Sequence, residues 1–440
     1  MLKPRVLVIA YWFPPAGGIA VQRALSLAKY LPQHGCEVHV LAPQNPPASV
    51  IDPALLAQVP SEVQIHRAWT PMPPAQLRKR LWSLVSRRKR GAPGAGRSST
   101  ERSGFISELA RRVLCPDPEV LWVPFATARA RRIVKRYGIG VVLVTAPPFS
   151  AFLIGNALKR DFPGLQLISD FRDEWLRFFL STFEFQQSAY VRRRAEAIER
   201  ATIEASSLVI TVTPPLVDEL RQRYPDEAPD KFTCIPNGFD PAIFTGFQSR
   251  SHEGSKTVIT YVGTVYKTTS PSCYFEALDA LPQPVRGRIE TRFVGRIAED
   301  QQRLVQSRTD AKIIGYVPQA EALRWMEETD FLLLIMTDPS FATGKIYEYL
   351  ATGKPIIAFS PPGGEVARTL AETGSGWCID PNDREGAQAC LQQAASGELA
   401  SGFHPSWEDI RRYERPRLAG EFARAIQRIA MNDPMLLAKS

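Results

Sequence analysis

The sequence predicts an α/β fold made of two doubly wound parallel sheets, and three observations carry that expectation. First, 440 residues exceed what one ordinary core takes, so two domains are expected. Second, short β-rich runs alternate with amphipathic stretches long enough to be crossover helices. Third, nearly every such run is apolar on both faces, the pattern of parallel strands covered by helices on both sides. The composition, 44% hydrophobic and 22% charged, is that of a soluble globular protein.

In the first half, strands are expected at 5–10 ("RVLVIA"), 37–42, 140–146, 165–170, 207–212 and 232–237, with crossover helices such as 19–31 and 151–160 between them. After "PNGFDPAIF" the same rhythm restarts. Strands are expected at 257–263, 290–295, 311–316, 331–336, 355–359 and 376–379, with helices at 320–328 and 344–352. The polar stretch 245–256 reads as a hinge. The expected domains are 1–245, carrying a basic insertion at about 70–118, then 246–409, with a C-terminal helix in 410–440 crossing back to the first. Two such sheets facing each other place their strands' carboxyl ends, where open α/β sheets bind ligands, around one central cleft.

Charge and cysteine usage narrow the setting. The six cysteines form no C-x-x-C pair and have no histidine at ligand spacing, so reduced thiols and a cytoplasmic setting are expected. "MLKPRVLVIAYWFPP" reads as a first strand and not as a secretion signal, and no apolar stretch is long enough to span a membrane. The net charge of +9 is local: residues 78–112 hold eleven Lys or Arg and two Glu, and the remainder balances. Within them, Leu81, Trp82, Leu84 and Val85 interleave with cations, as in a loop touching an anionic membrane surface. A solvated insertion without a partner is the alternative, and nucleic acid, though attracted by such charge, is not the expected partner. "GAPGAG" neither follows a strand nor opens a helix, so it is no dinucleotide fingerprint.

Three strand-end loops carry chemistry. In "FPPAGG", Gly17 and Gly18 leave room for a phosphate or sugar to approach backbone N–H groups at the start of a helix; a plain tight turn is the alternative. In "DPSFATGKIYEYLATGKPIIAF", Gly344 precedes a helix whose first turn places Lys345 and Glu348 on one face. The ammonium can pair with a diphosphate and the carboxylate can accept two ribose hydroxyl protons, or the two can form a surface i, i+3 pair. "TGK" lacks the spacing of a P-loop. In "SDFRDEW", Asp170, Arg172 and Asp173 follow a strand; a carboxylate there can bond an acceptor hydroxyl or the transferred sugar, or the cluster can cap the next helix.

The segments "FPPAGGIAVQRALSLAKYLPQHGCEVHVLAP", "IPNGFDPAIF", "YVGTVYK", "GYVPQAEALRWMEETDFLLL" and "GKIYEYLATGKPIIAF", in this order, resemble retaining nucleotide-sugar glycosyltransferases of the GT-B fold, family 4. The resemblance covers nearly the whole chain. "VTAPPFSAFLIGNALKR" followed by "LISDFRDEW" resembles members found among bacterial exopolysaccharide and surface-glycan genes. It implies two Rossmann-like domains, a UDP- or GDP-sugar donor, and a glycan or lipid-linked acceptor.

By the same resemblance, Gly17 and Gly18 approach the donor phosphates, while Lys267 and Lys345 neutralise the diphosphate in place of a metal ion, so no metal and no cofactor are expected. Glu348 matches the second glutamate of the family's E-x7-E motif and would hold the ribose, and Gly315, Tyr316 and Val317 would frame the base. Asp170 takes the place where the family has a polar residue, often histidine, and Arg172 lies beside it. Two departures stand out: Ser340 replaces the first glutamate of E-x7-E, and Thr264 replaces the arginine usual after "VG". Both positions belong to groups that contact the donor sugar and its phosphates. They motivate the alternative of a catalytically silent glycan-binding or scaffold protein; a nonhydrolysing sugar-nucleotide epimerase is the other two-domain reading, and "PNGFDP" and "KIYEYLATGKP" favour a transferase. Oxidoreductase chemistry is not expected, because no G-x-G-x-x-G follows an expected strand.

Overall fold

A computed structural model describes residues 3–46, 48, 50–71, 112–179, 188–249, 255–337 and 343–431. Most of the basic segment 78–112, together with Ser340, lies outside the described residues. The chain forms two compact units, residues 1–236 with 419–440, and residues 237–418.

The first unit is built on a seven-stranded sheet, in the order β3-β2-β1-β4-β5-β6-β7. Its strands are β1 Arg5–Ala10, β2 Glu37–Pro43, β3 Gln64–Ala68, β4 Val141–Ala146, β5 Gln166–Phe171, β6 Leu208–Thr211 and β7 Phe232–Cys234. All pairings are parallel. β3 is a strand the hydrophobic pattern did not predict. Its "QIHRA" forms the sheet's edge, carries three polar side chains and buries only two positions, so it lacks the apolar run that marks the central strands. β7 ends three residues earlier than expected, at Cys234, and beyond it the carbonyls of Ile235 and Pro236 accept from Arg23.

The second unit has six parallel strands in the order β10-β9-β8-β11-β12-β13. These are β8 Thr257–Val262, β9 Ile289–Val294, β10 Ala311–Gly315, β11 Phe331–Ile335, β12 Ile356–Phe359 and β13 Gly376–Ile379. β11 explains why such strands read as unbroken apolar runs: Phe331, Leu333 and Ile335 pack on one side of the sheet, Leu332 and Leu334 on the other. The link "NGFDPAIF" belongs to this unit. Phe239 donates its backbone N–H to the Tyr413 carbonyl and accepts from Arg415, while its ring lies edge-on to Phe244 in the cluster that also holds Met326, Leu350 and Tyr413. The helix Arg415–Met431 starts in this unit and continues into the first from residue 419.

In each sheet the order reverses once, between β1 and β4 and between β8 and β11. At such a switch point the two neighbouring connections leave in opposite directions and open a crevice at the strands' carboxyl ends. The "FPPAGG" loop follows β1 and "GTVYK" follows β8, so both motifs sit at a switch point.

Candidate functional site

In the second unit, β8, β9 and β10 each end on a glycine of positive φ: Gly263 at 132°, Gly295 at 134° and Gly315 at 84°. The first two are required. A Cβ on Gly295 would run into the Gly263 carbonyl, and one on Gly263 would run into Lys345 Cε. The result is a flat backbone ledge, tied by Gly263 N–H to the Val294 carbonyl at 2.8 Å and Gly295 N–H to the Gly315 carbonyl at 2.7 Å.

Lys345 lies over this ledge. It opens the helix Lys345–Thr352, entered through Gly344 and closed by Gly353 in the left-handed region. Tyr349 pins that helix to β8, its hydroxyl accepting from Val262 N–H at 2.8 Å. The Lys345 ammonium donates to the Tyr261 hydroxyl and, at 3.3 Å, to the Thr264 carbonyl, and it sits 4.2 Å from the centre of the Tyr261 ring. Burial holds its pKa down to about 8, against the pull of Glu348 and Tyr266. One helical turn on, burial pushes the Glu348 carboxyl up, offset by Arg415 and then Lys345. Among the described residues Glu348 has no hydrogen-bond partner. Each group is thus shifted against its charged form, and each would be relieved by a ligand that brings an anion to the lysine and hydroxyls to the carboxylate.

The other expected donor-side residues lie on the loops around the ledge. Thr264 contributes its carbonyl to Lys345, and Lys267 is exposed at the start of the turn Lys267–Thr269. Beyond β10, Gly315 faces open space, Tyr316 is 61% exposed and Val317 is half-buried. Sequence reasoning missed Arg296, whose guanidinium lies 4.7 Å from the Tyr316 ring centre. The signal was present: "FVGR" at the end of β9 repeats the "YVGT" at the end of β8, with an arginine where the first copy has Thr264.

The first-unit loops differ. The stretch 50–52 runs against "FPPAGG": Gly17 N–H donates to the Val50 carbonyl at 3.0 Å, and Asp52 N–H to the Pro15 carbonyl at 2.8 Å. A Cβ on Gly17 would sit 3.0 Å from Val50 Cγ1, so this glycine serves the close approach and its amide is engaged. Gly18, at φ 94° with nothing within 4 Å of a Cβ position, is the one that borders open space.

The charges of "SDFRDEW" are mostly committed to the fold. Asp170 is fully buried, with Arg23 bonding both carboxylate oxygens at 2.9 and 2.7 Å and the Thr145 hydroxyl adding a third bond at 2.7 Å. In this arrangement it braces the sheet, with both carboxylate oxygens already bonded within the protein. Arg172 donates to the carbonyls of Ala146, Ala20 and Pro147 at 3.1, 2.6 and 2.7 Å, so it ties the loop after β4 to the turn that follows Gly18. Glu174 caps the N–H groups of Leu176 and Arg177 and pairs with Arg223. Asp173 alone has no hydrogen-bond partner among the described residues; burial pushes its carboxyl up, partly offset by Arg172.

Among the described residues, no three His, Cys, Asp or Glu side chains gather into a group that could hold a metal ion, and no helix is long and apolar enough to cross a membrane. None of the six cysteines is in a disulfide.

The two reversed parallel sheets fit, and the matches to two glycosyltransferase family models identify, a glycosyltransferase of the GT-B fold. The chain belongs with family 4: residues 83–243 match Glycosyltransferase Family 4, and residues 256–396 match Glycosyl transferases group 1. A 93-residue stretch is 30% identical to the probable glycosyltransferase WbjE of Pseudomonas aeruginosa, spanning 20% of this chain and about a quarter, 23%, of that protein. Similar solved folds include HepE of Anabaena in complex with UDP and glucose (TM-score 0.60, 12% identity, 96% of this chain and 99% of that one). WaaG, a glycosyltransferase involved in lipopolysaccharide biosynthesis, is similar at TM-score 0.58 and 15% identity, over 96% and 99% of the two chains. Sucrose-phosphate synthase of Thermosynechococcus elongatus is similar at TM-score 0.59 and 14% identity, over the full length of both.

Proposed function

We infer that this glycosyltransferase takes its sugar from a UDP- or GDP-sugar and passes it, with retention at the anomeric carbon, to a glycan or lipid-linked acceptor of surface polysaccharide synthesis. The carrying observation is the Lys345 and Glu348 pair above the Gly263 ledge, each held by burial against its charged form and neither joined to an opposite charge by a hydrogen bond. Lys345 meets the diphosphate and Glu348 the ribose, while Tyr316 and Arg296 flank the base. Lys345, joined by the exposed Lys267, supplies the positive charge that a divalent ion supplies elsewhere, so transfer needs no metal.

On the acceptor side, Asp173 is the carboxylate left over for the acceptor hydroxyl, in the place first assigned to Asp170. No pair of carboxylates at double-displacement spacing is assigned here, which favours same-face attack. The acceptor oxygen bonds to the anomeric carbon as the bond to the diphosphate oxygen breaks, and the hydroxyl proton passes to the departing diphosphate. The protein works at the cytoplasmic face of the membrane, held peripherally by the basic segment 78–112.

The experiment is thermal unfolding with UDP-, GDP- and dTDP-sugars, followed by transfer assays in excess EDTA with the donor so found. One donor should raise the midpoint, since it binds the native state alone, and transfer should persist in EDTA. Loss of transfer in EDTA, restored by Mg2+ or Mn2+, would contradict the lysine account; stabilisation by no nucleotide sugar would contradict the donor assignment.

A further inference from the structure

The first unit contains an arginine-lined cleft of about 1030 Å³ between the helices Ala189–Ala205 and Pro214–Arg223 and the turn Trp175–Phe179. Its walls carry Arg177, Arg192, Arg193 and Arg200, with Glu196 among them and Tyr224 at one side. We propose that this cleft binds a phosphate group, and that the group belongs to the acceptor; only the second half of that statement rests on the transferase reading.

The charges separate into a spent set and an unspent one. Arg223 bonds Glu199 at 2.6 Å, Glu219 at 2.6 Å and Glu174 at 3.0 Å, so it is a brace. Arg177 lies 3.6 Å from Glu219. Arg192, Arg193 and Arg200 have no carboxylate within 4 Å among the described residues. Arg223 with Glu219, and Arg368 with Glu372, pair across i, i+4, yet Glu196 stands four residues from both Arg192 and Arg200 and joins neither. Three cations on one helix surface without pairing repel one another, and an anion that bridges them removes that repulsion.

Two of the three are already oriented. Arg192 donates to the Leu176 carbonyl at 3.4 Å, and Arg200 lies 5.4 Å from the centre of the Tyr224 ring, whose hydroxyl is fixed on Glu199 at 2.8 Å. Guanidinium groups bond phosphate through paired N–H donors, and holding them in advance reduces the ordering cost. A phosphate of two negative charges fits this set better than a carboxylate, because two or three guanidiniums can share its oxygens.

The test measures inorganic pyrophosphate binding by calorimetry in the full-length protein carrying Lys345→Ala, so that the donor-side lysine does not contribute. Into that background go Arg192→Ser, Arg193→Ser and Arg200→Ser together, Arg193→Ser alone, and a charge-matched control of Arg303→Ser, Arg324→Ser and Arg411→Ser. All these arginines are exposed, and substitutions at such sites leave stability within about 0.5 kcal/mol. The cleft triple should bind pyrophosphate at least about tenfold more weakly, the single change a fewfold, and the control as its background does. A parallel arm sediments phosphatidylcholine vesicles with and without phosphatidic acid, using the same variants with Arg87, Arg88, Lys89 and Arg90 all changed to Ser, so that the basic segment does not contribute. Loss of both pyrophosphate and phosphatidate binding in the cleft triple alone places the phosphate on a membrane-borne acceptor; loss of pyrophosphate alone places it on a soluble one. Unchanged pyrophosphate binding, or equal loss in the control, overturns the site whatever the vesicles do, while the donor reading stands or falls separately on Lys345.

Discussion

Two strand ends of this transferase carry similar charged motifs and use them in opposite ways. At the end of β5 and just past it, Asp170, Arg172 and Glu174 have nearly every polar atom bonded within the protein. Beyond β11, Lys345 leans on a phenol and a carbonyl, and Glu348 has no hydrogen-bond partner among the described residues. A buried charge hydrogen-bonded to its counter-charge is structure; a desolvated charge that no such bond satisfies is held ready for a ligand. The contrast therefore predicts that equally drastic substitutions will break folding at one site and binding at the other.

The largest effect is expected at Asp170. Asp170→Ala leaves the Arg23 guanidinium buried without its carboxylate, at a cost of about 3–5 kcal/mol, read as a lowered denaturant midpoint. A shift under about 1 kcal/mol would show that the brace is dispensable. Lys345→Ala and Glu348→Ala come next. Each should cost about 1.5–3 kcal/mol of donor binding, the scale of a charge-assisted hydrogen bond, at an unchanged unfolding midpoint. Loss of stability in place of affinity would put Lys345 in the same class as Asp170.

The smallest effect sharpens the comparison within the first unit. His39 Nδ1 and His66 Nε2 lie 3.1 Å apart in the interior, and burial, then His39, hold the His66 pKa down to about 4. The unfolded chain takes up this proton near pH 6.5 and the folded one only near 4. Stability is therefore full above the unfolded value and is lost as pH falls from there toward 4, by about 1–2 kcal/mol after solvent screening. Urea midpoints between pH 7 and 5 should fall less in His66→Gln than in the wild type; parallel curves would remove His66 as the cause.

How much of this the sequence disclosed follows from range. The central strands were legible because burial on both faces leaves no polar position, as in "FLLLI" of β11. The edge strand β3 was not, since half of it faces away from the core. Lys345 and Glu348 could be read because three residues on a helix fix a shared face without knowledge of the fold. Arg23 and Asp170 stand 147 residues apart, and only the parallel sheet brings them together. "SDFRDEW" therefore announced a charged strand end without revealing that Asp170 was already occupied and Asp173 was not.

The most direct test of the contrast is the pH dependence of nucleoside diphosphate binding, by calorimetry from pH 7 to 9, with the nucleotide that stabilises the protein. A bound diphosphate raises the Lys345 pKa, so below about 8 the lysine is charged in both states, and above it binding must take up a proton. The wild type should hold its affinity up to about pH 8 and then weaken toward tenfold per unit, while Lys345→Ala binds about ten- to a hundredfold more weakly at pH 7 and stays flat. Superimposable curves for the two proteins would contradict the assignment of Lys345 to the donor diphosphate.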